Sequence, residues 1–363
     1  MATEGQSLAD FQRGELSLED FEWESHLRPS PTSLTREATE DAVPGVDLAG
    51  LFCKRDAFKY AEMVGSLAEA ASTHGFFQVF NHGIMIGALE SLYAYGRSFF
   101  SLPLHHKYEA SKFTAHPTAG PSGYTCGNSS SSLNKWWSEG IRFASQDKAH
   151  MHTLASSFCP DQQELQHFSD VLEECSLGFS KLAKQLIILL LEGLGLKGEE
   201  VLRRYVNDGG SSALKWNHYP PCPQPDKTLG LPPHSDVSLI SLLWQDQVGG
   251  LQVKLNGEWV TMKPRKDALV VNIGDIFQVW SNDQYLSGQH RAILNSEKSR
   301  YSLAYFYYSG VETMLTPIPE ALVMRKQCSK FQSTLLSEHR RYAYSEVIKG
   351  ESKGVDYLKI GAS

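Results

Sequence analysis

His234-Ser235-Asp236 sets an imidazole and a carboxylate two residues apart, and His290 lies farther along the chain. On a strand, positions i and i+2 project to the same face, so one strand would offer two ligands to a metal while the third arrives from elsewhere. Two His and one carboxylate on one side of a metal leave three coordination positions open, which lets a non-haem Fe(II) take up exogenous ligands. Taken alone the pattern is weak, because a chain with 13 histidines is expected to contain such a triplet by chance. Corroboration has to come from other residues.

Ten residues after His290, Arg300-Tyr301-Ser302 is again an i, i+2 pair that presents two polar side chains to one face. Tyr305, Phe306, Tyr307 and Tyr308 mark the strand as buried, and a buried guanidinium requires an anionic partner. A forked Arg beside a hydroxyl suits a carboxylate. Asn217 and Tyr219 share one face of the strand Ala213 to Tyr219 and could hydrogen-bond a second carboxylate close to the metal. Together these residues describe a pocket for a dicarboxylate that chelates the metal through a keto-acid end, and 2-oxoglutarate meets that description. A zinc hydrolase would also use two His and one carboxylate, but it leaves Arg300, Ser302, Asn217 and Tyr219 without a joint purpose. Gly193-Leu194-Gly195-Leu196-Lys197-Gly198 matches the dinucleotide pattern G-x-G-x-x-G, but that motif needs a preceding strand, and here it ends a long helix.

These side chains need a scaffold. Val43 to Leu48 predicts a short strand. Apolar residues at Tyr60, Val64, Leu67 and Ala71 predict a helix from Asp56 to Ala71 that stops at Gly75, before a strand from Phe76 to Phe80. Leu165, Phe168, Leu172, Cys175, Phe179, Leu182, Leu186 and Leu189 form the stripe of a long amphipathic helix, a buttress for a sheet. Beyond residue 210 the period becomes two. Leu251 to Leu255, Asn256-Gly257 and Glu258 to Met262 predict a hairpin on a type I′ turn. Ala268 to Ile273, Ile276 to Trp280 and Tyr301 to Tyr308 are further expected strands. Short strands with close turns after a helical half indicate a mixed α+β fold, a sandwich or barrel with helical cover. The segment from His116 to Lys135, with its serine run, is expected to be an exposed, mobile loop, and residues 1–42 a polar, loosely ordered leader.

The chain has 363 residues and a net charge of −7 without a basic block, which argues against nucleic acid as a partner. Its 41% hydrophobic content can fill a large core. Six scattered cysteines form no close-set metal spacing and read as reduced thiols. No membrane span and no secretory leader are recognisable, so the expected location is cytoplasmic and the expected state a monomer.

Gly75 to Val79 with Asn81-His82-Gly83, Asn217-His218-Tyr219-Pro220-Pro221-Cys222-Pro223, His234-Ser235-Asp236, Gln245 to Gln252, His290 and Arg300-Tyr301-Ser302 follow one another in a fixed order. In that order they resemble the plant 2-oxoglutarate and Fe(II)-dependent dioxygenases, over about residues 43–350. Trp137-Ser138-Glu139, Val271 to Asp275, Trp280 to Asp283 and Ala304 to Tyr307 are similar to the gibberellin oxidases, particularly the 2-oxidases of C20 gibberellins. Tyr308-Ser309-Gly310, where relatives commonly carry Cys-Pro, and the serine run within residues 128–132 depart from that pattern.

The resemblance implies a double-stranded β-helix (jelly-roll) core with buttressing helices. It divides the chain into a leader (1–42), an N-terminal region (43–163), a long buttress helix (164–205), the binding core (206–312) and a C-terminal helical cover (313–363). It implies that His234, Asp236 and His290 hold Fe(II), that Asn217 and Tyr219 orient the metal-proximal end of 2-oxoglutarate, and that Arg300 and Ser302 grip its distal carboxylate. O2 would be the oxidant, ascorbate the reductant in vitro, and succinate and CO2 the co-products. The small-molecule substrate would be a diterpenoid acid: a gibberellin oxidised at carbon 2, or an earlier precursor such as ent-kaurenoic acid. Tyr124, Trp137, Phe143 and Phe306 are the expected pocket walls, and Lys135 and Arg142 the expected charges for its carboxylate. The alternatives are gibberellin 20-oxidation, another plant secondary-metabolite dioxygenase, an ascorbate-dependent oxidase that keeps the triad, and a non-catalytic diterpenoid-binding protein.

Overall fold

The computed structural model describes residues 7–30, 43–52, 56–110, 123–128, 132–144, 148–206, 211–310, 313–350 and 354–361. Two sheets face each other. The larger runs in the order β1-β2-β10-β7-β12-β5-β4-β3 and the smaller in the order β6-β11-β8-β9. The strands are β1 (Gly45–Asp47), β2 (Phe76–Phe80), β3 (Gly123–Cys126), β4 (Glu139–Ala144), β5 (Ser212–Tyr219), β6 (Leu231–His234), β7 (Ile240–Gln245), β8 (Leu251–Leu255), β9 (Glu258–Thr261), β10 (Leu269–Ile273), β11 (His290–Ala292) and β12 (Arg300–Tyr307). Among the described strands, only β1 and β2 pair in parallel. This is the expected jelly roll.

Local chemistry accounts for the element ends. The side chain of Asp56 accepts from the Lys59 amide at 3.2 Å and caps helix Ala57–Thr73, and Asp161 does the same through the Glu164 amide at 2.9 Å for helix Gln162–Gly193. Gly75 has φ 71°, and a Cβ there would lie 2.3 Å from the Leu286 carbonyl, so only glycine can turn the chain from helix into β2. Asn256 and Gly257 adopt φ 50° and 85°, the type I′ geometry expected for the β8–β9 hairpin.

Both faces of the large sheet are buried. Its outer face packs on the long helix, where Phe179 stacks on Tyr305 at 5.3 Å and 10°. Its inner face contributes Phe76, Val270 and Leu243 to a separate core with Leu251, Val253, Leu255, Val260 and Met262 of the small sheet and its hairpin. Partners across antiparallel strands share a face. The register therefore lays out inner rows: Arg300 beside Tyr219; then Gln245, Ser302, Asn217 and Gly140; then Val270, Leu243, Ala304, Lys215 and Arg142; then Phe76, Asn272, Ser241, Phe306 and Ala213.

Three expectations are corrected. Ile276 to Trp280 is not a strand but lies in helix Asp275–Trp280, buried on every side; a continuous apolar run shows no period that separates the two. The leader is not loose over residues 7–30. It forms helix Ser7–Gln12 and a turn at Glu19–Phe21, buries Leu8, Phe21 and Trp23, and sets Phe11 and Phe21 against Trp137 at 4.8 and 5.1 Å. Those aromatics supply the apolar area that the polar composition around them hid; residues 31–42 fall outside the described residues. Within the expected mobile loop, Asn128, Asn134 and Lys135 are buried, and Ser7 donates its amide to the Asn128 carbonyl at 2.9 Å. Ser129 to Ser131 lie outside the described residues. Cys126, Cys159, Cys175, Cys222 and Cys328 are free thiols, as expected, and no described helix is long and apolar enough to cross a membrane.

On the outer face, Glu139 of β4 accepts from Lys107 Nζ at 2.6 Å and from the Tyr124 hydroxyl, and it meets His218 Nδ1 of β5 at 2.7 Å. Burial opposes ionisation of Glu139, but His218 and Lys107 outweigh it and hold the carboxyl below its ordinary value. A folded-state value below the unfolded one contributes stability that is complete above about pH 4.3 and is lost as pH falls through the lowered folded value. Glu139→Ala, which strands the buried Lys107, is expected to cost about 3–5 kcal/mol in urea unfolding at pH 7. The difference from the parent should shrink below about pH 4. A change under about 1 kcal/mol would show that the pair does not clamp these elements.

Candidate active site

β6 pairs with β11 so that His234 sits directly opposite His290, with ring centroids 4.1 Å apart. β6 is an edge strand, which is why it tolerates Pro232 and Pro233. It ends at His234, so Asp236 is not a second ligand on the same strand as expected. Asp236 sits beyond the strand end, where its carbonyl accepts from the Asp275 amide at 2.7 Å, and its Oδ2 accepts from Asn272 Nδ2 of the opposite sheet at 3.1 Å. These bonds turn its free oxygen toward the imidazoles. Asp236 Oδ1 lies 3.9 Å from His234 Nε2 and 3.8 Å from His290 Nε2, and one ligand atom from each residue falls within 4.8 Å of the others. The gaps are too long for hydrogen bonds but within the span of two metal–ligand bonds of about 2.1 Å each.

The surroundings prepare all three for a cation. His234 donates Nδ1–H to the Pro232 carbonyl at 2.8 Å, leaving the Nε2 lone pair free. Burial, and then the neighbouring His290, push His234 down to about 3, so its ring stays neutral. Burial opposes ionisation of Asp236, but His290 and His234, with hydrogen bonds from Ser241 and Asn272, hold its pKa below the ordinary carboxylate value. Phe76 packs edge-on against His290 at 5.9 Å, so the N-terminal strand β2 supports a ligand on the small sheet. Two imidazoles and one carboxylate facing a common point suit Fe(II) with open positions.

A second polar group lies on the large sheet. Arg300 is 3% exposed; its Nη2 donates to Gln245 Oε1 at 3.0 Å, and its guanidinium lies 4.8 Å from the Tyr219 ring centroid. Among the described residues no carboxylate comes within 4 Å of it, and its Nε is buried without a partner. Asn217 Nδ2 donates to Ser302 Oγ at 3.3 Å in the next inner row. The glycines leave the space these groups use. A Cβ at Gly250, where φ is 101°, would lie 3.3 Å from Arg300 Cδ, and one at Gly230 would lie 2.5 Å from the Tyr219 ring. A buried guanidinium without a counter-ion is costly unless an anion fills the site, so the residues present fit an acidic cosubstrate.

The expected substrate residues separate into two sets. Arg142 and Phe306 lie on the inner face, with the guanidinium 5.7 Å from the ring centroid. Phe143 and Tyr124 lie on the outer face. Phe143 packs on Trp216 at 5.6 Å, and Tyr124 packs on Phe99 and Tyr108 and bonds Glu139. Trp137 is taken up by the leader aromatics and donates Nε1–H to the Pro221 carbonyl at 3.3 Å. Lys135 donates Nζ–H to the Ser132 carbonyl at 3.0 Å. Those four are therefore structural, because their neighbours on helices and leader enclose them. Sequence reasoning missed Asn272, Gln245 and Lys215. Lys215 was recoverable, since it precedes Asn217 and Tyr219 at the same period of two.

The description of the 2OG-Fe(II) oxygenase superfamily matches residues 210–309, and that of the non-haem dioxygenase in morphine synthesis N-terminal region matches residues 43–163. Gibberellin 20 oxidase 1-D of Triticum aestivum is 36% identical over 311 residues, covering 84% of this chain and 81% of that protein. The chain belongs to the 2OG-Fe(II) oxygenase superfamily. Gibberellin 20 oxidase 5 of Arabidopsis thaliana is 33% identical to this dioxygenase over 332 residues, 90% of this chain and 82% of that one. The solved structure of JOX2 in complex with 2OG, Fe and JA superposes with a TM-score of 0.73 at 27% identity, covering 90% of this chain and 88% of that chain. The rice dioxygenase for auxin oxidation shares the fold at a TM-score of 0.68 and 21% identity, over 88% of this chain and 100% of its own. The dioxygenase is thus an oxidoreductase that uses Fe(II) and 2-oxoglutarate. When bound, Fe(II) would activate O2, the oxidant, with 2-oxoglutarate giving up two electrons as it leaves as succinate and CO2.

Asp236→Ala is expected to abolish stoichiometric Fe(II) binding, measured anaerobically by metal analysis of the desalted protein, with the far-UV circular dichroism unchanged. One retained Fe(II) per chain in that variant would remove Asp236 from the metal site.

Proposed function

We propose that this dioxygenase oxidises a diterpenoid acid of the gibberellin type. His234, Asp236 and His290 hold its Fe(II), Arg300 and Ser302 grip the distal carboxylate of 2-oxoglutarate, and Asn217 and Tyr219 orient the metal-proximal end. The observation that carries the cosubstrate assignment is the buried Arg300, with no described carboxylate within 4 Å, one register step from Ser302 and Asn217. Arg300 and Ser302 bind and orient, while the apolar residues between the sheets, Phe76, Val253 and Val270, keep water from the reacting face.

The diterpenoid reading is supported by the identity to gibberellin 20-oxidases over most of both chains and by a cation, Arg142, set beside an apolar wall, Phe306. Oxidation at carbon 2 of C20 gibberellins, or of a precursor such as ent-kaurenoic acid, follows from the resemblance around Trp137 to Glu139 and Trp280 to Asp283. Gibberellin 20-oxidation is the second reading, favoured by the relatives named above. We place the enzyme in the cytoplasm as a monomer, with no nucleic-acid partner. Its net charge of −7 gives an acidic substrate no long-range attraction, so local cations must hold it.

The direct test supplies the enzyme with Fe(II), ascorbate, 2-oxoglutarate and a panel of C20 and C19 gibberellins, ent-kaurenoic acid and flavonoids, followed by mass spectrometry of the products and assay of succinate. A 2-hydroxylated diterpenoid with matching succinate is the expected result. A 20-oxidised product would establish the second reading, and turnover of flavonoids alone would overturn both. Arg300→Ala should raise the KM for 2-oxoglutarate by about ten- to a hundred-fold, the loss of a charge-assisted hydrogen bond worth about 1.5–3 kcal/mol. An effect confined to the KM of the diterpenoid would place Arg300 in the substrate site instead.

A further inference from the structure

We propose that Arg142 and Arg340, which meet at Tyr308, together with Lys215 beside Arg142, form a receptor for a substrate carboxylate, which makes the free acid and not its neutral ester the form accepted. The identity of the carbon skeleton rests on the diterpenoid reading above; the receptor rests on the following geometry.

Lys215 and Arg142 are direct register partners on β5 and β4, and the partner of Lys215 on β12 is the small Ala304, so both cations project over a shallow part of the inner face. Lys215 is one row from Asn217, and its charge is felt by both His234 and Asp236, which places it in the same cavity as the triad. Gly140 lies beneath it, where a Cβ would come within 3.2 Å of Lys215 Cε. Arg142 donates from Nη2 to the Tyr308 hydroxyl at 2.7 Å, lies 5.6 Å from that ring's centroid, and has a buried Nε without a partner. Arg340 approaches the same ring from helix Leu336–Lys349 at 5.3 Å. Phe306 lies nearly parallel to Tyr308, at 22° and 6.3 Å, and gives the group an apolar floor.

Among the described residues, no carboxylate lies within 4 Å of Arg142, Lys215 or Arg340, although elsewhere in this protein buried Lys107 has its Glu139. Half-buried Arg142 repels both Lys215 and Arg340, and the arrangement becomes favourable when an anion joins them. Burial and the charge of Arg142 push Lys215 down to about 8, outweighing the opposing pull of Asp236. The position of Arg340 is itself built in. The adjacent His339 meets Asp275 at 2.9 Å with both side chains fully enclosed, and the Asp275 amide bonds the Asp236 carbonyl, so the C-terminal helix is tied to the metal-site turn. Tyr308, where the chain departs from the pattern it otherwise resembles, supplies the hydroxyl that Arg142 bonds and the ring that both arginines approach.

The test compares the parent with Lys215→Met, Arg340→Met and Arg340→Lys, on gibberellin-type acids and other apolar carboxylic acids, each paired with its methyl ester. The readouts are kcat/KM by product analysis and the thermal shift caused by each compound in the presence of 2-oxoglutarate. The parent is expected to prefer acid over ester, and each Met variant to lose about ten- to a hundred-fold of kcat/KM for the acid while losing much less for the ester. Arg340→Lys should retain most of the preference, which a merely structural role for Arg340 would not produce, and the KM for 2-oxoglutarate should move less than that for the acid. Turnover of gibberellin-type esters as readily as the acids would overturn the receptor and leave the diterpenoid reading standing. Acid preference among other apolar acids, with no gibberellin turned over, would do the reverse. The absence of any acid-specific thermal shift across the panel would also overturn the receptor.

Discussion

Arg300 is enclosed between the two sheets without a carboxylate within 4 Å among the described residues, and much of the inner cavity is organised around that buried charge. A buried guanidinium is tolerable only if backbone and side chains hold it in place and an anion completes it. Gln245 bonds it, the Tyr219 ring covers one face, and Gly250 and Gly230 leave room for guanidinium and ring. The facing triad has the matching requirement of opposite sign: beside His290, a His234 ring held neutral and an Asp236 carboxylate held ionised, awaiting a cation.

The two faces of the large sheet treat charge differently. On the outer face, Glu139, Lys107, His218 and Tyr124 satisfy one another, so that group contributes to the stability of the scaffold. On the inner face Arg300, Arg142, Lys215 and Arg340 have no such carboxylate partners among the described residues. The same strands carry both sets at alternate positions: His218 points outward between Asn217 and Tyr219, which point inward. The closed network thus fixes the strand whose open face must hold ligands within a few tenths of an ångström.

Much of the architecture was legible because local rules and tertiary packing agree. The Asp56 and Asp161 caps, the Gly75 stop, the Asn256-Gly257 turn and the apolar stripe of helix Gln162–Gly193 each follow from residue chemistry at fixed spacing. Legibility failed where burial is on all sides. Helix Asp275–Trp280 has no polar face from which to read a period, and the leader's order depends on a few aromatics seated on Trp137. Asp236 is brought beside His234 by a turn after the strand and not by the pleat.

By itself the sequence determined the residue types, two His and one carboxylate, an Arg with a Ser, an Asn with a Tyr, and their order along strands of period two. Tertiary structure decided which period-two face looks inward. Because helices bury the outer face of the large sheet as thoroughly as the small sheet buries the inner one, alternation of apolar residues could not distinguish Phe143 and Tyr124, which face the helices, from Arg142 and Phe306, which face the cavity. It also brought Arg340 from the C-terminal helix to the ring that Arg142 holds from β4, a meeting of residues 198 positions apart (340 minus 142) that no spacing rule contains. Spacing rules reach only as far as one helix or strand; the convergence of charge depends on how those elements pack.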